Sequence, residues 1–379
     1  ITGASLTAKI TNRCLVHIGS TAVVRSSGNL AISSELTEDN HNSAAAGTSR
    51  SQNSTKLTVA AAILVESLTN TVQTKIAGGA SLDAAGDLAV TAELKYPWVG
   101  QINNPNGFDP ASMFGQHLSS NIEKFFDSTL GVQSALVNNW SDAAANSSNH
   151  PANVSGSVNW VTYTNDCEAT VGAGARINQG RDPAYGSPSQ SVSVTATTTI
   201  QVFNFAGNTG FDFLPADLIK AYKQQQDGGW GGVADTIAPP TQGKDVGVGA
   251  SLIVLVMRNT TEAVVEGTGT RITYGSDGFN VQAEQEVLLI DLGTSGGVGQ
   301  SGLKSGGKFG ANGTFSYVNA ETSVVAQVGD GASVLSASST TGAVNVTAAD
   351  TFVGVAVSGA VVKGESTGIG ISVRIGVSD

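Results

Sequence analysis

Small or apolar residues alternate with polar ones along most of this chain, and glycine-rich corners interrupt the alternation. The stretch GGASLDAAGDLAVTAE, residues 78–93, shows the pattern in miniature. Ala80 and Leu82 share one face, a corner follows at Ala85-Gly86-Asp87, and Leu88, Val90 and Ala92 resume the inward face. A period of two predicts strands with one buried side. At three to six residues apiece such strands are too short to make a sheet alone.

The same sentence recurs. Apolar runs end in Asn at Asn12, Asn70, Asn165, Asn259 and Asn319, with spacings of 58, 95, 94 and 60 residues. After each Asn comes a strand, a Gly-rich corner, a second strand and, after another turn, a third. Inward positions of the first repeat are Cys14, Val16, Ile18, Ala22, Val24, Leu30 and Ile32. In the second they are Val72, Thr74, Ile76, Ala80, Leu82, Leu88, Val90 and Ala92. Repeats of this length bury a core only by stacking, like residue on like, about 4.8 Å apart. The predicted fold is therefore all-β, a parallel β-helix (β-solenoid), continuous over residues 1–379 in about five repeats. Cys14 and Cys167 share one repeat position, filled by Val72 between them, so they are expected to be separated small hydrophobes and not a disulfide. A column of the terminal Asn residues would form a hydrogen-bonded ladder.

Two stretches break the pattern, near 95–151 and 203–243. The first offers a helix capped by Asp109 with Pro110 at its start, and an apolar stripe of Phe114, Leu118, Ile122, Phe125, Leu136 and Trp140. The second has Pro215 inside a helical start and Gly228 past its end. Both are read as partly α-helical insertions on one side of the solenoid. They hold eight of the 12 Phe and three of the four Trp. Trp98, Phe108, Trp140, Phe211, Phe213 and Trp230 are accordingly the candidate partner contacts.

Composition narrows function mostly by exclusion. Charged residues are 13% of the chain and the net charge is -11, which argues against nucleic acid. No stretch reaches about 18 apolar residues, so no transmembrane helix is predicted. With no initiator Met, signal peptide or polar end caps, the chain is expected to be a piece whose ends continue or stack on further copies.

Catalytic chemistry is thinly represented. The outward column of Arg25, Asp83, Asn178 and Thr273 carries no repeated carboxylate pair, and no base is recognised beside an acid in register. Asp212 and Asp217 are the nearest thing to a glycosidase pair, on spacing alone. Gly302 to Lys308 approximates a phosphate loop, but Phe309 replaces the Ser or Thr it needs. His17, His41, His117 and His150 lack metal spacing. No catalytic, cofactor-binding or metal residue is assigned; calcium is left open without a motif to support it. Several Asn-x-Ser/Thr triplets, among them Asn53, Asn139, Asn259 and Asn345, are what so much Asn, Ser and Thr produces by chance.

A small-apolar run ending in Asn, then TKIAGGASL or ATVGAGARI, then GDLAVTA, resembles the stacking units of giant bacterial surface proteins. These are the filamentous-haemagglutinin-like and leukotoxin-type adhesins. The resemblance covers the chain outside the two insertions and rests on scaffold residues. It implies a secreted shaft at the bacterial surface holding binding regions away from the cell. The expected partners are neighbouring segments of the same chain or stacked copies, with carbohydrate or protein of another cell as ligand. The expected function is structural and adhesive. The alternatives are a self-assembling extracellular fibre subunit and a polysaccharide lyase or hydrolase built on a β-helix.

Overall fold

The computed structural model describes residues 1–48, 57–96, 138–145, 152–180, 189–207, 241–243, 246–299, 309–337, 342–363 and 368–378. They form an all-β molecule of three sheets in which every strand pairs in parallel. The first sheet contains the long strands β1 (Thr2–Ile18), β5 (Leu57–Ile76), β9 (Ala152–Val171), β13 (Val246–Val265), β16 (Phe309–Val328) and β19 (Gly368–Ser378), neighbours in that order. The second holds the short strands β2 (Val23–Ser26), β6 (Ser81–Ala84), β10 (Arg176–Ile177), β14 (Arg271–Tyr274) and β17 (Ser333–Ser336), one per layer. The third holds β3 (Leu30–Thr37), β7 (Leu88–Tyr96), β11 (Ser191–Gly207), β15 (Gly278–Gly299) and β18 (Val344–Lys363). The shorter β4 (Asn42–Thr48), β8 (Asn139–Ala145) and β12 (Thr241–Gly243) extend its far half. This strand order is consistent with the coil expected from the repeats.

The register stacks the repeats residue on residue. Asn12 lies opposite Asn70, Asn70 opposite Asn165, and Asn165 opposite Asn259. Cys14 faces Val72, which faces Cys167, and both thiols are free. In the third sheet Ile32, Val90, Val194 and Val281 form a column, with the last three fully enclosed. Burying each such side chain is worth roughly 1.5–3 kcal/mol, so stability accrues layer by layer.

The fifth layer departs from the sequence reading. Asn319 pairs with Val256, and Thr322 takes the place opposite Asn259. Counted from Thr322, the corner and second strand follow at the same distance as in the first three repeats. That corner is a turn in which, for instance, the Ala175 amide donates to the Gly172 carbonyl at 3.1 Å. Gly79, Gly174, Gly269 and Gly331 occupy its third position with φ between 81° and 87°. This left-handed conformation is the one a type II turn demands and L side chains resist.

No helix occurs among the described residues. The predicted helical segments fall mainly outside them, and the described parts of both insertions are strand. Lys95 and Tyr96 end β7, Asn139–Ala145 is β8, β11 runs on to Gly207, and Thr241–Gly243 is β12. Outside the two insertions, β4 follows β3 and pairs with β8.

These extra strands face the first halves of the long strands, and there the polarity inverts. In β9, Asn153, Ser155, Ser157 and Asn159 are buried, while Trp160 is exposed. The interior at this end is thin, closed by Ala46, Ala60, Ala62, Ala143 and Ala145. Small side chains let the two sheets approach; a Cβ on Gly293 would sit 2.9 Å from Thr314 Cγ2.

Gly174→Ala is expected to lower unfolding stability by about 1–2 kcal/mol, the cost of a left-handed L residue, because its Cβ meets only an ordinary 3.7 Å contact with Gly79 N. Chemical denaturation of the two proteins measures it. An unchanged midpoint would mean the corner is not as described.

Candidate functional site: a buried seam of amides, phenols and carboxyls

Stacked asparagines make the first line of the seam. Asn12 Nδ2 donates to Asn70 Oδ1 at 2.9 Å, Asn70 Nδ2 to Asn165 Oδ1 at 3.2 Å, and Asn165 Nδ2 to Asn259 Oδ1 at 2.7 Å. An amide suits this place because it both donates and accepts, so each rung satisfies the next. A second line runs through the third sheet, where Asn42, Asn139, Asn204 and Asp291 share a column. Asn139 Nδ2 donates to Asn204 Oδ1 at 3.0 Å, and Asn204 Nδ2 donates to Asp291 Oδ1 at 2.9 Å.

Two tyrosines connect the lines. The Tyr96 hydroxyl donates to Asn165 Oδ1 at 2.6 Å and accepts from Asn70 Nδ2. The Tyr163 hydroxyl accepts from Asn139 Nδ2 at 2.7 Å. Their rings meet edge to face at 6.0 Å and 87°. Burial pushes both phenols above their ordinary range, so they stay protonated.

Each end of the second line has a buried carboxyl. Glu66 Oε1 accepts from Asn40 and Asn42, and Asp291 closes the chain of amides. Burial raises Glu66 to about 7 against the hydrogen bonds that favour its anion, and the Glu38 charge adds to the rise. Burial raises Asp291 to about 7 too, against Asn204 and the Arg374 guanidinium. Among the described residues Glu66 Oε2 and Asp291 Oδ2 have no hydrogen-bond partner. Asp291 also lines a cavity of about 320 Å³, with Leu289, Val318, Phe352 and Arg374, between the sheets of the last layers. The seam is suited to fixing register. It has no nucleophile beside a base, and burial pushes the Cys167 thiol up to about 12.

The predicted contact residues divide sharply. Trp98, Phe108, Phe211, Phe213 and Trp230 lie outside the described residues. Trp140 does not belong to a helical stripe; it sits in β8, opposite Phe205 in register, with the rings stacked at 4.1 Å. It is 1% exposed, which withdraws it from a partner surface. The helical spacing from Leu136 masked an alternation in which Asn139 and Ser141 bracket it.

The outward columns also hold more charge than the Arg25 column suggested. Glu35 pairs in register with Glu93, and Lys95 Nζ reaches both, at 3.1 and 2.7 Å. Glu168 pairs with Glu262 on adjacent strands. Arg25 is itself in register with Asp83 and ion-paired to it at 3.5 Å. Asp83 lies on the same outer side but is buried there, accepting from the Gly180 amide at 2.9 Å. Aligning every outward column, and not one, would have found these pairs.

Among the described residues no group of three or more His, Cys, Asp or Glu is placed to hold a metal. Nor is any helix there long and apolar enough to cross a membrane. Comparison with known proteins gives no match, whether to a family model, a curated protein or a solved structure.

Asn165→Ala removes the acceptor of the Tyr96 O–H and of one Asn70 N–H, and the donor to Asn259 Oδ1. Each unsatisfied group costs about 1–3 kcal/mol, so denaturation should show a loss of roughly 2–5 kcal/mol. A loss below about 1 kcal/mol would remove the ladder's structural role. The carboxyls set a pH dependence. Their folded values lie above the unfolded ones near about 4, so the folded state binds more protons between about pH 4 and 7. Their contribution is full below that window and is lost as pH rises through it, roughly 3 kcal/mol for each group. The protein should therefore be more stable at pH 5 than at pH 8, and Glu66→Gln with Asp291→Asn should flatten the slope.

Proposed function

We propose that this chain is a section of the β-solenoid shaft of a large extracellular surface protein, with a mechanical and adhesive role. The observation that carries the reading is the in-register stacking of Asn12, Asn70, Asn165 and Asn259, the same chemical group on four successive layers. Each layer is hydrogen-bonded in parallel only to its neighbours, so a pull along the stack is shared by three sheets at once. The resemblance of the repeat sentence to adhesin stacking units points the same way. Long additions are confined to the junctions following β7 and β11, leaving the stacked strands unbroken. On this reading the additions carry the contacts, through Trp98, Phe108, Phe211, Phe213 and Trp230, with carbohydrate or protein of another cell as ligand.

Beads coated with the chain, presented to epithelial cells and to a glycan array, test the adhesive part. Attachment is expected, and Trp98→Ala with Trp230→Ala should reduce it at least tenfold at unchanged far-ultraviolet circular dichroism. Release of soluble oligosaccharides from any polysaccharide supplied would reject the proposal in favour of an enzyme.

A further inference from the structure

The outer face of the first sheet is built like an interior. Ile63, Val158, Leu252, Phe315 and Val373 stack in one column across β5, β9, β13, β16 and β19. Val65, Trp160, Val254, Tyr317 and Ile375 stack in the next. Trp160 is 47% exposed, and Ile63, Val373 and Ile375 are 43–44% exposed. On the other side of the first column runs a line of small residues, Ala61, Gly156, Ala250 and Gly313, which Ile371 on β19 closes at one end. That line is an open groove. A Cβ on Gly313 would meet nothing within 4 Å, and one on Gly156 only the Ala250 carbonyl oxygen at 3.9 Å.

Beyond the groove the face stays apolar, through the columns that begin at Val59 and Leu57. From β5 to β19 these five columns contain no charged residue. Charge returns only at the margins, with the Arg258–Glu321 ion pair at 3.0 Å on one side and Lys9 on β1. Five strands at about 4.8 Å and ten residues at about 3.3 Å span roughly 800 Å². Monomeric proteins rarely expose an apolar patch of more than a few hundred Å². Two copies burying it together would hide roughly 1,600 Å², the size of a standard stable interface.

We propose that this face is a homodimer interface, on which a second copy of the chain packs sheet against sheet. A twofold axis lying in the interface, along the stack and between the small and large columns, brings each groove opposite the partner's ridge. Phe315 of one copy then fills the space over Gly313 of the other, and Val158 the space over Gly156. The patch is thus complementary to itself, as an isologous contact requires. The two copies run side by side in the same direction. The inference stands on this surface alone and is independent of the adhesive reading.

Sedimentation equilibrium of the full chain at micromolar concentration tests it, and a dimer is the expected species. Trp160→Glu with Phe315→Glu buries charge in the contact and should raise the dimer dissociation constant at least about thirtyfold. Gly156→Val with Gly313→Val fills the groove in a place with room on the folded chain, and should dissociate the dimer at unchanged far-ultraviolet circular dichroism. This second pair keeps the test decisive if the glutamates impair folding. A monomer throughout would overturn the proposal. So would association that survives both variants, because open strand edges would then hold the copies together. Binding of phosphatidylcholine vesicles by a monomeric wild type, lost in the glutamate variant, would overturn it in favour of a lipid surface.

Discussion

Parallel pairing without stagger places every side chain directly over its counterpart one layer away, about 4.8 Å distant. That constraint governs which residues the molecule tolerates. Val, Ile and Ala satisfy it by packing. Asn satisfies it because an amide can hand a hydrogen bond to a copy of itself. A carboxylate cannot, since it only accepts, and so Asp291 stands at the end of an amide line. Outward charges follow the rule only in part, because Glu168 and Glu262 stack with no ion-paired cation among the described residues. Glu35 and Glu93 stack only with Lys95 reaching both of them.

Much of this was legible because the rule writes itself into the sequence twice. The period of two marks the buried face, and a fixed offset from Asn marks the layer. Asn70, Asn165, Val72, Cys167, Val90 and Val194 were all placed by those two signals together. Where either signal fails, so does the reading. In the fifth layer the Asn is replaced by Thr322, and Asn319, three residues earlier, imitates it. Strand β8 reads as helix, and β4 leaves no signal, because their inward residues are Ala, Ser and Asn, which advertise no core. Glu66 and Asp291 gave no warning at all, since their burial follows from which layers lie beside them.

The thin end of the molecule turns the usual reading of hydrophobicity inside out. Two sheets brought close by Ala and Gly leave no room for large side chains between them, so the narrow gap takes Ser and Asn, and Asn159 bonds across it. Asn159 Nδ2 donates to the Asn139 and Phe205 carbonyls at 3.0 and 3.1 Å. Bulk that cannot go inward goes outward, and Trp160 stands beside Asn159 for that reason. Patterning thus follows the local thickness of the fold as much as the contrast between water and interior.

Equivalent positions lie 58, 95, 94 and 63 residues apart along the chain, yet their registers coincide. The cross-section at Asn70 is therefore interchangeable with the cross-section at Asn165. Genetic recombination between those two points would delete or duplicate a whole storey and leave both new neighbours matched. Such a protein can change its reach by copying error, without having to invent a new joint.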